Sequence, residues 1–173
     1  MISQFKELLN HQFEATFCML NACIDNCPDE SWNEPVVNLK FCQAAFHVLF
    51  FVDYYLCDTP EELYEQSFHK ENADFFGDYE EMQDRPQTML YEKAKVSEYL
   101  QFVRNKAAEI FERETEDEMT TATKFPRRTF TRGEQHVYNL RHLHHHVAQL
   151  SLRLRIDHQI DIPWVGVGWK ELS

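Results

Sequence analysis

Four long stretches of this 173-residue chain place apolar side chains three or four positions apart, and no region reads as strand-rich. A period near 3.6 is the signature of helices that bury one stripe. Residues 2–25 carry Phe5, Leu9, Phe13, Phe17, Leu20 and Ile24 at this spacing, and Pro28 in DNCPDESWNEP ends the pattern. A second helix is predicted from Asn38 to Cys57, with Asn38 as its N-cap. Its body, LKFCQAAFHVLFFVDYYL, is apolar nearly all round, so it belongs deep in a bundle. A third spans Thr88 to Arg113, with Val96, Tyr99, Val103, Ala107 and Ile110 as its stripe. The fourth runs from Arg132 to Ile156 behind a Thr131/Glu134 capping box, and buries Leu140, Leu143, Val147, Leu150 and Leu154. The expectation is an all-α four-helix bundle, one domain over residues 1–173.

The connections refine this arrangement. Residues 58–86 hold Pro60, Gly77 and Pro86, with one short helical pulse at EELYEQ. A connection this long permits a crossover, so the second and third helices are expected to run in the same direction. The segment around ERETEDEMTTATKFPRR reads as an irregular loop with a short extended piece. The tail DHQIDIPWVGVGWKELS is irregular too, and its Trp164 and Trp169 are expected to pack back on the body.

Charge and composition bound the function. The net charge is −12, which repels a polyanion and argues against a nucleic-acid binder. The asymmetry is sharp: residues 1–118 sum to −16 and residues 119–173 to +4. Much of the acidity falls in residues 58–84 and reads as solvated surface. Five cysteines (Cys18, Cys23, Cys27, Cys42 and Cys57) show no CxxC spacing and read as reduced and buried, as in a cytoplasmic protein. The N-terminal stretch lacks the pattern of a signal peptide, and the longest apolar run, Ala44 to Leu56, is too short to span a bilayer.

Six of the nine histidines lie between His136 and His158. In RHLHHHVAQL, His142 and His146 are about 40° apart on a helical wheel, on one face beside the leucine stripe. An i, i+4 pair can bring two imidazoles to one metal ion, as in the H-E-x-x-H helix, although the Glu of that motif is missing here. His144 and His145 point elsewhere and read as solvated. A third ligand is offered by His47, alone amid the apolar second helix, where an unpartnered imidazole carries a desolvation cost. The competing reading makes His47, His142 and His146 hydrogen-bonded core residues of a protein-interaction domain.

One histidine in the second helix and His142-Leu143-His144-His145-His146-Val147-Ala148-Gln149 in the fourth resemble the DinB/YfiT-like superfamily, whose fourth-helix pattern is close to H-x-x-x-H-R-G-Q. The resemblance implies an up-down-down-up bundle and a divalent metal, commonly zinc or nickel, on His47, His142 and His146. It also implies homodimers, and metal-dependent hydrolase or thiol S-transferase activity on a small electrophilic substrate. Val147 and Ala148 stand where the pattern has Arg-Gly. Gln149, Tyr54 and Tyr138 are candidate helpers near the site, and Trp32 and Trp164 candidate pocket walls. A low-molecular-weight thiol is a candidate co-substrate, and neither a membrane nor a nucleic acid is expected as partner. The alternative function is a non-catalytic metal-binding or protein-interaction bundle.

Overall fold

The computed structural model describes residues 2–171. Eight α-helices follow one another: α1 Ile2–Asn26, α2 Phe41–Leu56, α3 Glu62–Glu65, α4 Ser67–Glu71, α5 Ala73–Phe76, α6 Lys93–Arg113, α7 Glu116–Thr120 and α8 Arg132–His158. The four long ones form the bundle. The apolar stripes read from the sequence are its core: Leu9, Phe13, Phe17, Leu20 and Ile24 of α1, and Val96, Tyr99, Val103, Ala107 and Ile110 of α6, are all buried. Each fully buried aromatic or aliphatic side chain of this kind contributes about 1.5–3 kcal/mol. In α8 the buried set is Leu143, Val147, Leu150 and Leu154, with Leu140 at its edge.

Named contacts fix the helix directions. Lys6, early in α1, donates to the Glu112 and Glu114 carbonyls at the end of α6, so α1 and α6 are antiparallel. Gln43 of α2 donates to the Met89 carbonyl just before α6, while Asp53 meets Tyr99 and Lys106 farther along it, so α2 and α6 run together. Arg132 donates to the carbonyls of Tyr55, Leu56 and Cys57, and Asn139 to that of Val52, so α8 runs antiparallel to α2. Those side chains satisfy the carbonyl groups that the end of α2 leaves free.

Several boundaries differ from the sequence reading, each for a local reason. Asn38 does not cap α2. Residues 35–40 close a tight turn through a Pro35–Lys40 bridge, and Lys40 is the N-cap, its amide donating to Gln43 Oε1 at 2.9 Å. The third long helix starts at Lys93 rather than Thr88: the Met89 and Tyr91 carbonyls, which a helix from Thr88 would use internally, accept from Gln43 and Trp32, while the Thr88 and Met89 amides donate to the buried Glu80 carboxylate. The 58–86 connection holds three one-turn helices and a 3-10 turn rather than a single pulse. The segment before α8 contains α7, and its extended piece is a bridge from Ala122 to Thr131. The Thr131/Glu134 capping box forms as predicted, and α8 continues to His158, two residues past Ile156.

All five cysteines are buried and free. In the tail, Ile162 and Val165 are buried and Trp169 lies under the Arg104 guanidinium, whereas Trp164 is 72% exposed. No helix among the described residues is long and apolar enough to cross a membrane.

Candidate metal centre

His47 sits midway along α2, and the antiparallel pairing with α8 sets it opposite the turn that carries His142 and His146. The ring centroids lie 5.6 Å (His47 to His142), 4.8 Å (His47 to His146) and 4.6 Å (His142 to His146) apart. One nitrogen from each ring lies within 4.8 Å of the others, and all three residues are half-buried. Phe51, one turn along α2 from His47, packs against both His47 and His142.

Two of the rings are held from behind. His47 Nδ1 is 2.7 Å from a carboxylate oxygen of Glu81, whose side chain is 1% exposed. His146 Nδ1 is 3.0 Å from Gln149 Oε1. In both cases Nε2 is left for the centre. Outer-nitrogen partners of this kind fix the tautomer and orientation of metal-ligating histidines. His142 Nδ1 is buried and has no partner. Burial, with His146, His47 and His145 adding repulsion, pushes His142 down to about 3. Burial, with His47 and His145, pushes His146 down to about 4. Both rings are therefore neutral at pH 7 with lone pairs available. Three convergent imidazoles, two braced and one with an unsatisfied nitrogen, suit a divalent cation.

Of the proposed helpers, only Gln149 reaches a histidine of the trio. It also contacts His145, which is exposed like His144. Tyr54 and Tyr138 do not touch the trio. Tyr54 packs on Phe51 and Phe125, and Tyr138 on Tyr55 and Phe130, farther along the α2–α8 seam. Neither tryptophan walls the site. Trp32 is a core residue whose indole donates to the Tyr91 carbonyl at 2.6 Å, and Trp164 lies over His144 on another face. Val147 is buried in the α8 stripe, so the position that carries Arg in the family pattern here belongs to the core. A separate cavity of about 410 Å³, lined by Asp58, Arg113, Glu114 and Arg132, lies beyond the end of α2 and does not include the trio.

Glu81 is the site residue that sequence reasoning missed. It belongs to the acidic connection read as solvated, 34 residues from His47. Of the adjacent pair, Glu80 turns inward to the amides before α6 and Glu81 to the histidine. No periodicity marks such a contact, because the 3-10 turn at Glu80–Met82 is too short to show one. Glu81→Gln is expected to weaken metal affinity about 10- to 100-fold without altering the helical circular dichroism, as the loss of an outer partner does at other histidine sites. Competition with a chromophoric chelator measures the change.

A sequence profile described as the DinB superfamily matches residues 12–150. Searches of curated proteins and of solved structures return no significant match. With the profile covering most of the chain and three histidines converging between two of its long helices, the chain belongs to the DinB superfamily.

Proposed function

We propose that this protein is a metal-dependent enzyme that binds one divalent ion, zinc or nickel, on His47, His142 and His146, and directs water or a low-molecular-weight thiol at a small electrophile. The observation that carries this reading is the convergence of three half-buried imidazoles, the outer nitrogens of two of them already engaged by Glu81 and Gln149. A divalent ion held by His47, His142 and His146 would keep its full charge and would supply Lewis acidity toward water or a thiol at neutral pH.

The chain's own residues supply the rest. Glu81 is a buried carboxylate that holds His47 in one tautomer and adds negative charge behind the centre. Gln149 orients His146. Phe51 covers one side of the trio with hydrocarbon and limits water there. The half-exposure of the histidines leaves the other side open for a substrate to approach.

Elemental analysis of protein purified without a His tag tests the first step. About one equivalent of bound metal is expected; near-zero zinc, nickel, iron and manganese, with no uptake on reconstitution, would remove the metal. Turnover is then measured with a thiol and a model electrophile, and with simple amides and esters. A rate no greater than that of the free ion would favour the non-catalytic, metal-binding alternative.

A further inference from the structure

Of the nine arginines, Arg85, Arg104, Arg113, Arg132, Arg153 and Arg155 each pair with a carboxylate. Arg127, Arg128 and Arg141 form no ion pair among the described residues. All three gather at the N-terminal part of α8, in a chain that carries twelve excess negative charges. Arg128 is nevertheless held in place. Its Nη2 donates to the hydroxyls of Tyr55 at 2.8 Å and Tyr138 at 3.3 Å, and its guanidinium lies 4.9 Å from the centre of the Tyr138 ring. Arg141 lies 5.4 Å from the same ring. Two guanidinium groups thus share one tyrosine with no carboxylate between them. The Nε–H and Nη1 N–H groups of Arg128 make no hydrogen bond among the described residues, and they remain as charged donors for a carboxylate.

The backbone before Arg128 is unusual as well. Arg127 has φ of 63°, a conformation that costs a non-glycine residue free energy. The loop is closed by the Ala122–Thr131 bridge and by the Thr123 amide donating to the Phe130 carbonyl. This loop sets Arg128 over the α2–α8 seam. Along that seam Phe51 packs on His142 at 5.7 Å and on Tyr55 at 6.2 Å. Tyr138 lies one turn before His142 on α8, roughly 6 Å away. Half-exposed Phe51, Tyr54 and Tyr138 line the interval between the histidines and Arg128.

We propose that Arg128, assisted by Arg141, is the anion-binding end of a groove whose other end is the three-histidine centre. The substrate is then a small molecule bearing a carboxylate on a short apolar stem, its reacting bond on the order of 6–10 Å from that carboxylate, one to two helical turns. Tyr55 and Tyr138 are positioning residues that hold the guanidinium, and the half-exposed rings of Tyr138, Tyr54 and Phe51 receive the stem. The stem assignment rests on the metal-enzyme reading above; the anion site itself does not.

Two titrations test it. In the first, cobalt(II)-loaded protein is titrated with 6-mercaptohexanoate and with 6-mercaptohexanol, and the thiolate-to-cobalt absorption band reports binding. The acid is expected to bind about tenfold tighter than the alcohol, and Arg128→Met to bring the ratio close to one. Arg128→Lys, which keeps the charge without the planar guanidinium that the two tyrosines hold, should fall between. In the second, metal-free protein is titrated calorimetrically with 4-phenylbutyrate and its neutral amide, and the same preference should appear and weaken with salt. Equal affinity for acid and neutral partner in both titrations, or a preference unchanged in Arg128→Met, would overturn the proposal. Absent cobalt binding with the phenylbutyrate preference retained would overturn the metal reading and leave the anion site standing. Arg128 is exposed, so circular dichroism of the variants should match wild type.

Discussion

Replacing His142 by leucine is expected to abolish metal binding while making the metal-free protein more stable. The two effects have one cause. In the metal-free protein His142 Nδ1 is buried without a hydrogen-bond partner, and burial holds the ring neutral. An unsatisfied buried polar group costs about 1–3 kcal/mol, and leucine removes that cost while filling similar volume. Chemical denaturation of metal-free protein should therefore show His142→Leu more stable by about 1 kcal/mol. With zinc present the order reverses. Wild type gains stability with metal concentration, about 2.7 kcal/mol at a hundredfold excess over Kd, and the variant gains close to nothing. If His142→Leu destabilises the metal-free protein, the histidine is a core residue with a structural bond. If the variant retains metal, it is not a ligand. A site that is strained when empty and relieved when filled is what a functional position looks like in a stability measurement.

Much of this arrangement was legible from residue spacing. The apolar stripes of α1, α6 and α8 are nearly the predicted ones, because a bundle core is built from 3.6-residue periodicity and little else. The His142–His146 pair and the isolated His47 stood out for the same reason: a polar group on or beside a buried stripe must be accounted for. What stayed hidden is long-range and polar. Glu81 reaches His47 across 34 residues, and Glu80 takes two amides of the extended residues before α6. Such contacts are made by single side chains from short turns, so no repeat in the sequence announces them. Tyr54 and Tyr138 show the converse. Helical spacing put both near the histidines, and both do lie on the same seam, but Tyr138 meets Arg128 and Tyr54 packs on Phe125 rather than on the trio. A wheel gives the angle around one helix and not the position along its neighbour. Trp164 failed as a wall because the tail carries no periodicity from which to orient it.

Asp53 is the residue whose loss is expected to cost most. It interrupts the most apolar helix of the chain, and it is fully buried. Its carboxylate meets His69 Nε2 and the Tyr99 hydroxyl, each at 2.8 Å, together with Lys106 and Gln66. Burial alone would raise its pKa, but Lys106 and His69 outweigh burial and hold it below the ordinary carboxylate value. A lowered folded-state value adds stability above the ordinary carboxylate range and forfeits it as pH falls through the folded value, so the contribution is present at pH 7. Asp53→Leu leaves Lys106 without its counter-charge and His69 without its hydrogen-bond partner, and is expected to destabilise by about 3–5 kcal/mol in urea denaturation at pH 7. Adding Lys106→Met should recover more than half of that loss, since a buried pair replaced whole by apolar groups is often neutral. Additive losses in the double variant would show that the two charges do not act together. The same network ties the connection to the bundle: His69 belongs to α4, its ring stacks on Phe76 of α5, and its other nitrogen reaches Tyr79, two residues before Glu81. Loosening Asp53 therefore loosens the segment that carries the partner of His47. Asp53→Asn, the milder change, should lower metal affinity in a variant that still folds, although Asp53 touches none of the three histidines. An unchanged affinity in folded Asp53→Asn would mean that Glu81 is positioned by its own turn alone.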